Sequence, residues 1–230
     1  DETDSFSVTL GQPVMPGEQV TLNYGGADGV TSLDMLLTYG FVPKEPARLD
    51  TIELEGAFSL QDWDAAPGDA AMLEEKKQLL ASSRYTAPRT FHIGSQLMDP
   101  AVICALRLVY LELVELSECC NGNWQRALNH APISARNERL VALSLRTRLK
   151  QVTGQDQRNV DDDLRSLACA RAVDEVDHLL CAALRLRINR QLVAKDVLDR
   201  LDLFLEATET ESHLNLFDFL PSYMPKMRVL

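Results

Sequence analysis

From residue 99 onward, apolar residues recur at intervals of three and four, the spacing that lines one face of a helix. Asp99 followed by Pro100 places an acceptor side chain at an N-cap and a proline at the first helical position, which predicts a helix over residues 101–118. That run is apolar around most of its circumference. Arg107, Glu112, Glu115 and Glu118 leave only a narrow polar side, so the helix is expected at the centre of a bundle and to end at Asn121 and Gly122. Ser134 opens the next helix, which runs to about residue 152 with Val141, Leu145, Leu149 and Val152 on one side. Asp161, Asp162 and Asp163 begin a third, where carboxylates favour the positive end of the helix dipole, and Leu164 and Leu167 carry its apolar face. From about residue 170 to 207 the pattern is helical almost without interruption, through Leu184, Ile188, Val193, Val197 and Leu201. One long helix fits, and so do two meeting at a kink near Asn189. The end of the chain alternates and contains Pro221 and Pro225, which predicts a surface-docked tail.

The first sixty residues follow a different period. Phe6, Val8 and Leu10 alternate with polar residues, as do residues 19–24, so two strands are expected around the turn at Pro13 to Gly17. A hairpin alone is marginally stable and must pack on something larger. Gly25 and Gly26 break the second strand after Tyr24. Leu33, Leu36 and Leu37, with Met35 beside them, then make a short helical face that leads directly into Tyr39, Gly40 and Phe41. Pro43 and Pro46 bar a helix, and residues 49–58 read as a strand. Residues 59–71 have a linker-like mixture with Trp63 as an anchor, residues 72–82 a short helix, and residues 82–96 an irregular or briefly extended course. The fold class is therefore mainly α: a small β-rich part over residues 1–58, followed by an all-helical domain over residues 59–230.

Composition narrows the functional classes. With 46% hydrophobic and 25% charged residues, the 230-residue chain is ordinary for a globular protein. Lys and Arg number 23 against 34 Asp and Glu, a net charge of −11, which argues against a nucleic-acid surface and suits a basic protein segment better. The longest apolar run carries Arg107, Glu112 and Glu115, so no membrane span is expected. Five cysteines without a CxxC pair, and without histidines at ligand spacing, read as reduced and mostly buried thiols; they imply no metal site and an intracellular compartment. His92, His130, His178 and His213 are isolated, and Gly25, Gly26 and Gly29 lack the Lys-Ser/Thr pair of a phosphate-binding loop.

The stretch GEQVTLNYG followed by LDMLLTYGFV, residues 17–25 and 33–42, resembles the C-terminal end of a SET-domain methyltransferase of the Rubisco large-subunit methyltransferase-like class. In that family a GEE, a strand, a YG, a helix with two leucines and a YGF follow in this order. A Ser-Asn pair usually precedes the leucines, where this chain has Thr31 and Ser32. The blocks SARNERL at 134–140, VDDDLRSL at 160–167 and LRLRINRQLVAKDVL at 184–198 resemble the degenerate motifs of that family's helical substrate-binding domain. The usual Gly-Glu-Lys is replaced around Arg190, Gln191 and Leu192.

The resemblance implies transfer of a methyl group from S-adenosylmethionine to a lysine amine of a protein substrate, or in some relatives to a histidine ring. It assigns Tyr24 as the catalytic tyrosine, Tyr39 as a wall of the lysine channel that hydrogen-bonds the amine, and Phe41 as an aromatic contact to the cofactor or the channel. Such a displacement depends on placement of the nucleophile more than on a strong acid or base. A phenol, with an unperturbed pKa of about 10, stays neutral there and orients the amine without an opposing charge. The family's upstream Gly-x-Gly and Asn-His-Ser segments, which hold most of the cofactor, do not occur in these residues, so this chain alone is expected to be inactive. The alternative is a non-catalytic interaction module in which the SET remnant is structural.

Overall fold

Most of the described helices start where a side chain takes up one of their first free N–H groups. The computed structural model describes residues 13–18, 29–54, 64, 66–82, 90–128, 131–154, 160–172, 177–211 and 213–220. The expected strands over residues 6–10 and 19–24, Trp63, His130 and the end of the chain from Pro221 lie outside them. Helix α1, Ser32–Tyr39, is opened by a capping box. Asp34 N donates to Thr31 Oγ1 at 3.0 Å while the Asp34 carboxylate accepts from the Thr31 hydroxyl at 2.6 Å and the Thr31 N–H at 3.1 Å. Those bonds hold the Asp34 carboxyl below its ordinary range, the Thr31 side chain contributing most. Strand β1, Thr51–Leu54, pairs antiparallel with β2, Phe91–Gly94, in the register Ile52↔Ile93 and Leu54↔Phe91. Residues 91–94, expected to be irregular or briefly extended, thus form an ordered strand. Between the strands lies α2, Ala70–Ser82.

Asp99 caps α3, Pro100–Tyr110, through Ala101 N, with Pro100 at its start as the sequence requires. The expected single helix to Glu118 is instead two. Leu111 and Glu112 are extended, and α4, Leu113–Glu118, begins after them with its own capping box from Glu112 and Glu115. Lys76 of α2 is the physical reason. Its ammonium, fully buried, donates to Val109 O at 2.9 Å, Leu111 O at 2.6 Å and Pro67 O at 2.8 Å, taking up the carbonyls that a continuing helix would have used. A 3-10 turn, Trp124–Leu128, leads on to α5, Ala135–Gly154, then α6, Val160–Arg171, α7, His178–Ala207, and a single turn α8, Leu216–Phe219.

Helix α7 is one unbroken element with no kink at Asn189, and Asp177 caps it through Leu180 N. Its first half packs Leu184 and Ile188 against Leu167 of α6 in a small cluster. Its second half packs Val193, Val197, Leu201 and Phe204 into the main core with α3, Val141, Leu145 and Leu149 of α5, and the inner faces of β1 and β2. The residues after 212 are more than a surface-docked tail: Leu216 and Leu220 are buried in the same core.

One expectation about charge is overturned and another, the three carboxylates at the start of α6, is met and extended. Arg107 does not line a wet side. It is fully buried and forms a two-pronged pair with Glu138 of α5, Nε to Oε1 and Nη2 to Oε2 both at 2.6 Å. Asp163 is not just a charge at a helix start. It is buried and accepts Arg187 of α7 at both oxygens, with Nε at 2.6 Å, so it ties α6 to α7. Leu164 points outward, leaving Leu167 to carry the buried face. All five cysteines are free; Cys104 and Cys120 are buried, while Cys119 and Cys169 are exposed and Cys181 lies between, so the thiols are less buried than expected.

Candidate functional site

The last residue of α1 and the turn after it place two aromatic rings side by side. Gly40 ends the helix with φ of 75° and donates its N–H to Leu36 O at 2.9 Å. A glycine suits this left-handed cap because a side chain there would be strained. The reversal sets the Phe41 ring 6.2 Å from the Tyr39 ring, the planes tilted by 31°. Both rings are about half-exposed, at 43% for Tyr39 and 48% for Phe41. Tyr24, the expected catalytic tyrosine, lies outside the described residues, so of the three candidate residues the structure brings Tyr39 and Phe41 together.

The leucines of α1 do not bury it. Leu33 is 48% and Leu37 75% exposed, so the short leucine face expected here is largely open; Ser32 is the buried residue. The helix stands instead on a polar network at its start. Asp50, just before β1, accepts Ser32 N at Oδ1 (2.6 Å), and at Oδ2 both the Ser32 hydroxyl (2.5 Å) and Ala47 N (2.8 Å). Asn189 of α7 donates to Ser32 Oγ at 3.3 Å and to Pro43 O at 3.2 Å. Arg185, one turn earlier, donates to Lys44 O at 3.3 Å. Sequence reading missed Ser32, Asp50 and Asn189. The available signal was an asparagine one helical turn before Val193 and two before Val197, in a row otherwise apolar.

Other candidates remain peripheral. A cavity of about 160 Å³ is lined by Cys119, Cys120 and Arg126 with Pro132 and Ile133, and neither Tyr39 nor Phe41 borders it. Burial pushes the Cys120 thiol up, so it stays protonated there. His92 Nδ1 lies 3.3 Å from Thr51 Oγ1 across the sheet. Among the described residues no group of three or more His, Cys, Asp or Glu side chains could hold a metal ion, and no helix is long and apolar enough to cross a membrane.

A long helix gripping a short aromatic-ended segment on one side, and a helical bundle on the other, defines a mainly helical module with an N-terminal appendage. The chain belongs to the Rubisco LSMT substrate-binding family, whose sequence profile matches residues 67–193, more than half of it. Three solved structures share the fold. The SET domain of LSMT bound to MeLysine and AdoHcy is 19% identical, with 78% of this chain and 39% of that chain covered at a TM-score of 0.54. The same domain bound to lysine and AdoHcy is 20% identical, with coverages of 85% and 43% and a TM-score of 0.55. Rubisco LSMT bound to sinefungin and monomethyllysine is 19% identical, with coverages of 86% and 44% and a TM-score of 0.56. The chain thus spans less than half the length of the structures it matches. Comparison by sequence with curated proteins gives no match.

Proposed function

We propose that this chain is the C-terminal part of a SET-type protein-lysine methyltransferase, with residues 1–58 closing one wall of the active site and residues 59–230 receiving the protein substrate. The observation that carries the reading is the aromatic pair of Tyr39 and Phe41 on a capped turn, held directly against a helical domain of the substrate-binding family. S-adenosylmethionine, when bound, supplies an electrophilic methyl group. The described residues fit one edge of such a group, because half-exposed aromatic faces attract a sulfonium cation. Phe41 makes that contact. Tyr39 lines the lysine channel and accepts a hydrogen bond from the incoming amine, and Tyr24 aligns the amine lone pair while remaining neutral. The surplus of acidic residues favours a basic segment around the target lysine. The remaining walls come from residues outside this chain, so the 230 residues alone bind the cofactor too weakly to turn over.

Tyr24→Phe tests the assignment in the full-length product of the parent gene. Methyl transfer from labelled cofactor is expected to fall about 100-fold, the size of effect seen when one preorganised hydrogen-bond donor is lost, with the circular dichroism spectrum unchanged. Undiminished transfer would reject the role of Tyr24, and absence of any transfer by the unsubstituted protein would favour the non-catalytic interaction module. Calorimetric titration of the 230-residue chain with S-adenosylmethionine is expected to show no binding; tight binding would overturn the view that the site is incomplete.

A further inference from the structure

We propose that Asn189 is a positioning residue: one side-chain amide from the middle of α7 fastens both ends of the excursion over residues 32–43 and so sets where Tyr39 and Phe41 stand. Its link to methyl transfer rests on the function proposed above. Its link to the geometry does not.

The hydrogen bonds around this amide can be accounted for completely. Asn189 is 1% exposed, and its Nδ2 reaches Ser32 Oγ at the start of α1 and Pro43 O two residues beyond Phe41. A carbonyl only accepts, so Pro43 O fixes which end of the amide faces the excursion. The Ser32 hydroxyl gives its one proton to Asp50 Oδ2 at 2.5 Å, and its two lone pairs receive Ala47 N and Asn189 Nδ2, each at 3.3 Å. Asp50 in turn holds the start of α1 and the turn before β1. Between the two anchor points Leu33 and Leu37 bury little, and Met35, Leu36 and Val42 are only partly buried, so no fully buried apolar side chain fixes the rings. The amide carries that task.

The rest of the Asn189 side chain argues the same way. Its Oδ1 is buried and has no hydrogen-bond partner among the described residues, a costly arrangement in the interior of a helix whose neighbours Ile188 and Val193 are buried and apolar. A leucine would serve the helix better. A residue that weakens the general fold while supplying donors to two points of one segment is placed for that segment.

The test uses Asn189→Leu and the near-isosteric Asn189→Asp in this chain, read by hydrogen exchange and denaturant unfolding. Both variants are expected to speed exchange of the amides of Met35 to Gly40 by about 10- to 100-fold, the loss expected from one to two hydrogen bonds. For Asn189→Leu, amides in α3 and α5 and the unfolding midpoint stay as in the parent. Ser32→Ala combined with Asn189→Leu is expected to fall short of the sum of the two single changes, because the two residues share one bond. Unchanged local exchange, or exchange that rises equally throughout the chain, overturns the inference. In the full-length protein, kcat is expected to fall about tenfold with the KM for the protein substrate within twofold, as misplacement of an aligned group predicts. Faster local exchange with undiminished methyl transfer would leave the anchor standing and overturn the placement of Tyr39 and Phe41 at the reaction.

Discussion

Replacement of Glu138 by alanine is expected to destabilise the chain by about 3–5 kcal/mol, because it leaves the Arg107 guanidinium buried without its counter-charge. The carboxylate accepts three hydrogen bonds. Arg107 offers two, at 2.6 Å each, and Leu216 N adds a third at 3.1 Å from the start of α8. Arg107 also bonds Asn215 Oδ1 at 3.0 Å and lies with Cζ 5.0 Å from the centre of the Phe217 ring, so the pair pins the last helical turn to α3 and α5. For a chain of this size the melting temperature should fall by roughly 10 °C or more. Combining Glu138→Leu with Arg107→Met should recover most of the loss, since two apolar side chains remove both buried charges together. Equilibrium unfolding in urea measures both variants. A loss below about 1 kcal/mol for Glu138→Ala would show that water reaches the pair and that it is not the clamp described.

Lys76→Met is expected to cost about 2–4 kcal/mol, because two buried carbonyls at the α3–α4 break, Val109 O and Leu111 O, lose their donor. Methionine keeps the length and apolar stem of the side chain, so the loss reports the ammonium. Burial pushes Lys76 down to about 8, with the Glu115 carboxylate opposing the shift. In the unfolded chain a lysine titrates near about 10.4. Between these values the unfolded chain holds a proton that the folded chain has released, so rising pH favours the fold by up to about 1.4 kcal/mol per pH unit. Below pH 7 the lysine is charged in both states and the contribution is flat. The stability difference between the parent and Lys76→Met should therefore widen from pH 7.5 to 10 in paired urea titrations. A difference that narrows with alkali would mean that the folded chain holds the Lys76 proton more tightly than the unfolded chain does.

What could be read from the sequence follows the range of the interactions. The start at Asp99 and the span of α5 depend on neighbours within a turn or two, and their side chains announce them, whereas α7 starts at Asp177, several residues after the start expected near residue 170. The break at Leu111 and Glu112 carries no glycine or proline and continues the apolar period; it is imposed by Lys76 from another helix, so no local signal marks it. Arg107 and Asp163 look like solvent charges because their partners, Glu138 and Arg187, lie 31 and 24 residues further on. An arginine embedded in AVICALRLVYL was nonetheless a clue, since a charge on a wholly apolar helix must be paired. Tyr39 and Phe41 were legible from the YGF turn. The support beneath them was not, because Ser32 meets Asp50 across 18 residues and Asn189 across 157.

The two-stranded sheet has a consequence for how this protein can be divided. β1 belongs to the N-terminal appendage and β2 follows α2, and the two complete each other's backbone hydrogen bonds over four paired positions. A truncation that keeps only the region of the family match leaves Phe91 and Ile93, both buried here, on a strand with a bare edge. Such an edge invites pairing between copies of the chain. The appendage therefore covers that edge of β2, and the smallest piece expected to stay unassociated begins upstream of Asp50.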